Sequence, residues 1–189
     1  MKNHQLVLAV CILQCLVIQL TATAAPLPTS SSTSIIADQT QPFISELGFK
    51  MNSANTDWKL MPKPIDSKYM VTLYQAPHTY KDLSATLTVR MDPLNEKIET
   101  QDYVKKWLRR YPRFGFEVLV AKPLEQKGKP GYVIDILNKE NARQLRQVIF
   151  LKDKAAIVMT CKDHIDNFKN TLKSCNDISR TFEWTGATL

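Results

Sequence analysis

The sequence predicts an α+β fold, an antiparallel sheet of six to seven strands sandwiched between two main helices. Three observations carry this. Residues Gly131 to Cys161 read as three consecutive strands, Tyr132–Asn138, Arg143–Lys152 and Ala155–Cys161, parted by the polar breaks Lys139–Ala142 and Asp153–Lys154. Apolar residues occupy both alternating sets of these strands, with Ile134 and Ile136 against Val133 and Leu137, so both faces of the sheet must be covered. Two amphipathic segments, from Thr100 and from Asp163, supply the covers.

The N-terminus stands apart from that domain. Residues 1–24 carry Lys2, an apolar run from Leu6 to Leu20 and then Ala22-Thr23-Ala24, the three regions of a secretory leader. Cleavage is expected after Ala24, because cutting after Ala25 would place Pro26 at the scissile bond. A membrane anchor is the alternative, but Leu6–Leu20 falls short of the ~20 apolar residues of a span and contains Gln14 and Gln19. A lipoprotein signal does not fit, since Cys11 and Cys15 follow Val10 and Gln14 rather than small residues. Residues 25–42, rich in Pro, Ser and Thr, read as a flexible linker. The folded domain is placed at 43–184, followed by a tail at 185–189.

Within the domain, Leu47–Met51 is a first short strand. Tyr69–Gln75 and Leu83–Met91 form a pair joined through Ala76-Pro77-His78. The second strand alternates: Leu83, Ala85, Leu87, Val89 and Met91 share one face, Ser84, Thr86, Thr88 and Arg90 the other, which should be partly wet. Asp92-Pro93 is expected to end it. A helix capped by Thr100 runs to about Tyr111 before Pro112, with Tyr103, Val104, Trp107, Leu108 and Tyr111 on its sheet-facing stripe. Next come a strand at Phe116–Ala121, a loop at Lys122–Pro130 and the meander. Asp163 then caps a second helix with a stripe of Ile165, Phe168, Leu172, Cys175, Ile178 and Phe182, and Trp184 packs just beyond it.

If the leader is removed, two cysteines remain, Cys161 and Cys175. In an exported chain a disulfide is the default pairing, with two buried thiols as the alternative. Metal binding ranks lower, because Cys161 and His164 supply two ligands and nothing nearby completes a zinc shell. No cofactor is expected.

The formal charge of +7 drops to +6 when Lys2, the leader's one charged residue, is lost, a weak pointer to anionic partners. The sharpest basic feature is KKWLRRYPR, in which Lys105, Lys106, Arg109, Arg110 and Arg113 form a candidate interaction patch. Interleaved Trp107 and Tyr111 could stack on bases. Helical spacing turns them toward the sheet instead, which disfavours nucleic acid and leaves an ordinary solvated face or a docking surface for an acidic protein or an anionic surface.

The run Cys161-Lys162-Asp163-His164-Ile165-Asp166 could be drawn as a thiol, imidazole and carboxylate site. A bonded cysteine followed by acidic residues at a helix N-terminus explains it more simply. With no HExxH, GxSxG, CxxC or phosphate loop, enzymatic activity is not expected.

The phrase FKMNSANTDWKLMP at Phe49–Pro62, the strand LTVRMDP, the helix YVKKWL, the meander and the closing FKNTLKSCNDISRTFEW together resemble the PsbP/DcrB-like superfamily. That group includes photosystem PsbP, periplasmic DcrB-type proteins and Ran-binding relatives. The resemblance spans about 43–184 and rests on element order and apolar pattern. It implies a non-enzymatic accessory or binding module and transfers no functional residue; together with the leader, the expectation is an exported protein with a protein partner in the cell envelope or exterior. A carrier of a small ligand, or an enzyme using His164, are the alternatives.

Overall fold

The computed structural model describes residues 42–185. The leader at 1–24, all but the last residue of the linker and all but the first residue of the tail lie outside them. Ten strands and two helices follow one another. Strands β1 (Phe43–Ser45), β2 (Phe49–Met51), β3 (Lys59–Met61), β4 (Met70–Tyr80) and β5 (Leu83–Pro93) precede helix α1 (Thr100–Leu108) and a 3-10 turn (Tyr111–Phe114). Strands β6 (Glu117–Gln126), β7 (Lys129–Asn138), β8 (Arg143–Lys152) and β9 (Ala155–His164) lead to helix α2 (Phe168–Arg180) and strand β10 (Glu183–Trp184). Seven strands form one antiparallel sheet in the order β3-β4-β5-β9-β8-β7-β6, and β1-β2-β10 form a second, small sheet.

The large sheet is covered on both faces, as its apolar pattern requires. Val148, Phe150, Ile157, Met159 and Cys161 point with Leu87 and Val89 toward α2 and the small sheet, where they meet Phe168, Cys175, Ile178 and Phe49. Ile134, Ile136, Ile149, Ala156 and Val158 point the other way and meet Tyr103, Val104 and Tyr111. Thr86, Thr88 and Arg90 on the second face of β5 are half-buried, in keeping with its alternation.

Several boundaries differ from the sequence reading, each for a local reason. β4 does not stop at Gln75. Its register with β5 breaks between Gln75 and Thr79, Pro77 sits in that irregularity, and the strand resumes to a two-residue turn at Lys81-Asp82. Both turn residues adopt positive φ, 48° and 60°, the geometry of tight hairpins, without the Asn-Gly signal that usually marks it. β5 likewise runs on through Asp92 and Pro93, which pair with Ala156 and Ala155.

The expected loop at Lys122–Pro130 is a hairpin. β6 continues to Gln126, turns at Lys127-Gly128 and returns as β7. Pro123 pairs with Tyr132. Having no N–H to give β7, it must occupy a non-hydrogen-bonded position with its nitrogen facing outward from the sheet edge.

The helices start and stop elsewhere too. Thr100 is the first helical residue of α1 rather than its cap, and the Glu99 carbonyl accepts from the Asp102 and Tyr103 amides. The helix ends at Leu108, and Pro112 falls in the first turn of the 3-10 segment, where its missing N–H costs nothing. Asp163 is a strand residue, and α2 begins five residues later behind Asn167. Ile165, outside the helix, is exposed. Trp184 packs on the domain as expected, as part of β10, paired with Phe49.

Cys161 of β9 and Cys175 of α2 are joined in a disulfide, Cα atoms 5.9 Å apart. On the same face Arg146 forms a bidentate pair with Asp135, both contacts 2.7 Å, and donates to Asn176 of α2 at 3.3 Å. The bond closes a loop with a sequence separation of 14. Reduction, or the double change Cys161→Ala with Cys175→Ala, should therefore lower stability by roughly 3 kcal/mol in a denaturant titration with fold intact. An unchanged midpoint on reduction would mean the bond contributes nothing.

Candidate functional site

Helix α1 divides cleanly between a buried and a charged side. The 3.6-residue period places Tyr103 and Val104 against the sheet, 3% and 1% exposed, with Tyr111 of the following turn at 5%. Lys105, Lys106, Arg109 and Arg110 occupy the outer side, and the 3-10 turn adds Arg113 and an exposed Phe114. Gly115, at φ 75°, reverses the chain into β6. All five sequence-predicted cations are exposed and lie on one surface with a single carboxylate, Asp102. Lys105 reaches that carboxylate at 3.4 Å, an exposed contact of little energetic weight. Among the described residues, no acidic group lies within ion-pair distance of Lys106, Arg109 or Arg113.

Beneath the cations lies an ordered polar and aromatic layer. Trp107 and Tyr111 stack at 6.1 Å, with the guanidinium of Arg110 5.8 Å from the Trp107 ring centre and that of Arg90, from β5, at 5.4 Å. Arg90 is held by Asp92 at 2.7 Å, and the Tyr103 hydroxyl donates to the same carboxylate at 2.5 Å. The Tyr111 hydroxyl donates to Gln147 Oε1, and Gln147 in turn donates to Thr160 at 3.3 Å. Burial pushes the Tyr111 phenol up to about 12, against a smaller lowering by Arg90. Burial also raises Tyr103, reinforced by Asp92. The surface cations thus stand on side chains that are packed and bonded.

The run around His164 is put to structural use. Cys161 is bonded to Cys175 and carries no thiol. The buried Asp163 accepts from the His164 amide at 2.6 Å, from Asn167 Nδ2 at 2.8 Å and from the Thr171 hydroxyl, tying β9 to the start of α2. His164 Nδ1 accepts from the Asp166 amide at 3.2 Å, and Asp166 pairs with Lys81 at 2.8 Å. Among the described residues, no group of three or more His, Cys, Asp and Glu is placed to hold a metal ion, and no helix is long and apolar enough to cross a membrane. Arg90 and Asp92 belong to the site yet escape sequence reasoning, since they reach Trp107 from another strand. Phe114 has a local signal, an aromatic just past a proline-broken helix.

No protein-family model matches the chain, and no curated protein matches its sequence. Solved structures do match. Cyanobacterial PsbP (CyanoP) from Synechocystis sp. PCC 6803 superposes with a TM-score of 0.56 at 13% identity, over 83% of this chain and 99% of that one. PA94 of Pseudomonas aeruginosa, described as of unknown function and a putative regulator, gives 0.53 at 14% identity over 76% and 95% of the two chains. LpqN of Mycobacterium tuberculosis, described as involved in cell envelope biogenesis, gives 0.55 at 13% over 78% and 86%. The chain has a PsbP-like fold, and at such identity the likeness is one of architecture.

The buried phenol of Tyr111 makes the layer below the cations sensitive to alkali. Its folded pKa of about 12 lies above the ~10 of an unfolded chain, so its contribution is fully present below pH ~10 and is lost as pH rises toward 12. Denaturation midpoints measured across that window should fall less steeply in Tyr111→Phe than in the parent. Identical slopes would assign the alkaline loss to other groups.

Proposed function

We propose that the protein is an exported, non-enzymatic binding module that docks an acidic protein surface through the outer face of α1 and its 3-10 extension. The observation that carries this reading is the surface of five exposed cations with one carboxylate, standing on the Trp107, Tyr103 and Tyr111 layer. A rigid base lowers the ordering cost of binding, and an unneutralised positive field speeds encounter with a negative partner. The apolar leader supports export. The description of LpqN as an envelope biogenesis protein is in keeping with an accessory role at that location. The engagement of Cys161, Asp163 and His164 in holding β9 and α2 together favours binding over catalysis.

The test pairs Arg109→Glu with Arg110→Glu in the chain purified from its own host and used to capture partners from envelope extract. Capture of a protein partner should weaken by tenfold or more in the variant and in high salt, on the order seen for steering charges, while stability shifts by less than about 0.5 kcal/mol. Unchanged capture by the variant removes this face from the mechanism. Salt-sensitive retention on anionic vesicles, with no protein captured, reassigns it to lipid headgroups.

A further inference from the structure

A recess lies between the tip of the β6–β7 hairpin and β10, with a volume of about 170 Å³. We propose that it binds a small planar aromatic carboxylate, a single ring bearing a short acid group. The proposal is independent of the docking role given to α1.

The recess is built from rings. Phe150 and Phe182 stack in parallel and offset, centres 5.1 Å apart and planes 2° from parallel, and Trp184 stands edge-on to Phe182 at 5.0 Å. Phe150 and Phe182 are nearly fully buried and form a fixed floor. Gly131 makes that floor possible, because a Cβ there would sit 2.6 Å from Phe150 Cε1 and 2.8 Å from the Ile149 carbonyl. Gln126 Nε2 donates to the Ser179 and Phe182 carbonyls at 3.1 and 3.4 Å, fastening the hairpin tip to the end of α2. Offset and edge-on contacts of this kind suit a further aromatic ring. An engineered cavity of about 150 Å³ accepts benzene, so the space fits one ring.

The rim supplies the charge. Lys127, in the hairpin turn, and Lys129, the first residue of β7, line the recess and are exposed. Glu183 is the one carboxylate in the lining, and it is already 3.5 Å from Lys50 and 3.9 Å from Lys127. Among the described residues, no acid lies within ion-pair distance of Lys129. An apolar aromatic floor beneath an excess of ammonium groups selects a flat ring that carries an anion, over a neutral ring or a non-aromatic acid.

The test is an NMR titration of the isotopically labelled chain with phenylacetate, repeated with its neutral amide. A ligand of this size should give a Kd of the order of a millimolar or tighter. Saturable shifts are expected at the amides of Lys127, Lys129, Phe182 and Trp184 and at the Trp184 indole N–H. The double variant Lys127→Asn with Lys129→Gln should weaken phenylacetate several-fold and leave the amide unchanged. Asparagine is chosen because position 127 has φ 50°, which it tolerates. Charge reversal at Arg109 and Arg110 should leave phenylacetate binding as it was. Shifts that do not saturate, shifts confined to α1, or equal affinity for acid and amide would each overturn the proposal.

Discussion

Strand β9 has no free side. Ala155 to Met159 are all buried, and their alternation commits Ile157, Met159 and Cys161 to the α2 layer and Ala156 and Val158 to the α1 layer. Flanked by β5 and β8 along its length, it leaves each remaining element little choice of position. Residue size follows from this. The strand offers small Ala156 and Val158 to α1, and the helix and its extension fill the space with Tyr103, Trp107 and Tyr111. On the opposite face the strand carries larger side chains and a covalent link, and α2 brings Phe168, Cys175 and Ile178 onto them.

The outer face of α1 follows from the same constraint. A helix that spends its aromatic stripe on the sheet has only its polar side left for water, and here that side carries Lys105 and Lys106 in its last turn and leads into Arg109 and Arg110. The helix is short, nine residues, and its basic surface continues only because the chain turns once more through Pro112 before leaving. Architecture shared with PsbP, PA94 and LpqN at 13–14% identity comes with few shared side chains. Function has to be sought in features such as these rather than in the fold.

What could be read from the sequence were long, uninterrupted patterns. The meander was legible because three apolar runs of seven to ten residues follow one another, and the α2 stripe from Phe168 to Ile178 because its period is unbroken. The hairpins at Lys81-Asp82 and Lys127-Gly128 were not, because positive φ fell on lysine and aspartate and because nearby prolines at 77, 123 and 130 read as loop. β1 and β3 have three residues each, too few for a period to show. Asp163 looked like a cap and does bond the start of α2, but from the strand, since β9 runs three residues further than its apolar run. Of the candidate site, the cations on consecutive turns were visible, whereas Arg90, brought to Trp107 from β5, is a product of tertiary packing.

Pro123 gives the β6 edge of the sheet a particular character. A strand at the end of a sheet is a template on which another chain can grow by main-chain pairing, and β6 is ten residues long. With a proline facing outward near its middle and a register break beside Val118 and Val120, it offers no uninterrupted row of donors. At the far end β3 covers only Leu73 to Gln75 of β4, and the stretch of β4 beyond them is broken by the irregularity that contains Pro77. Copies of this chain meeting edge to edge at β6 therefore find no continuous row of main-chain groups on which a fibre could be templated.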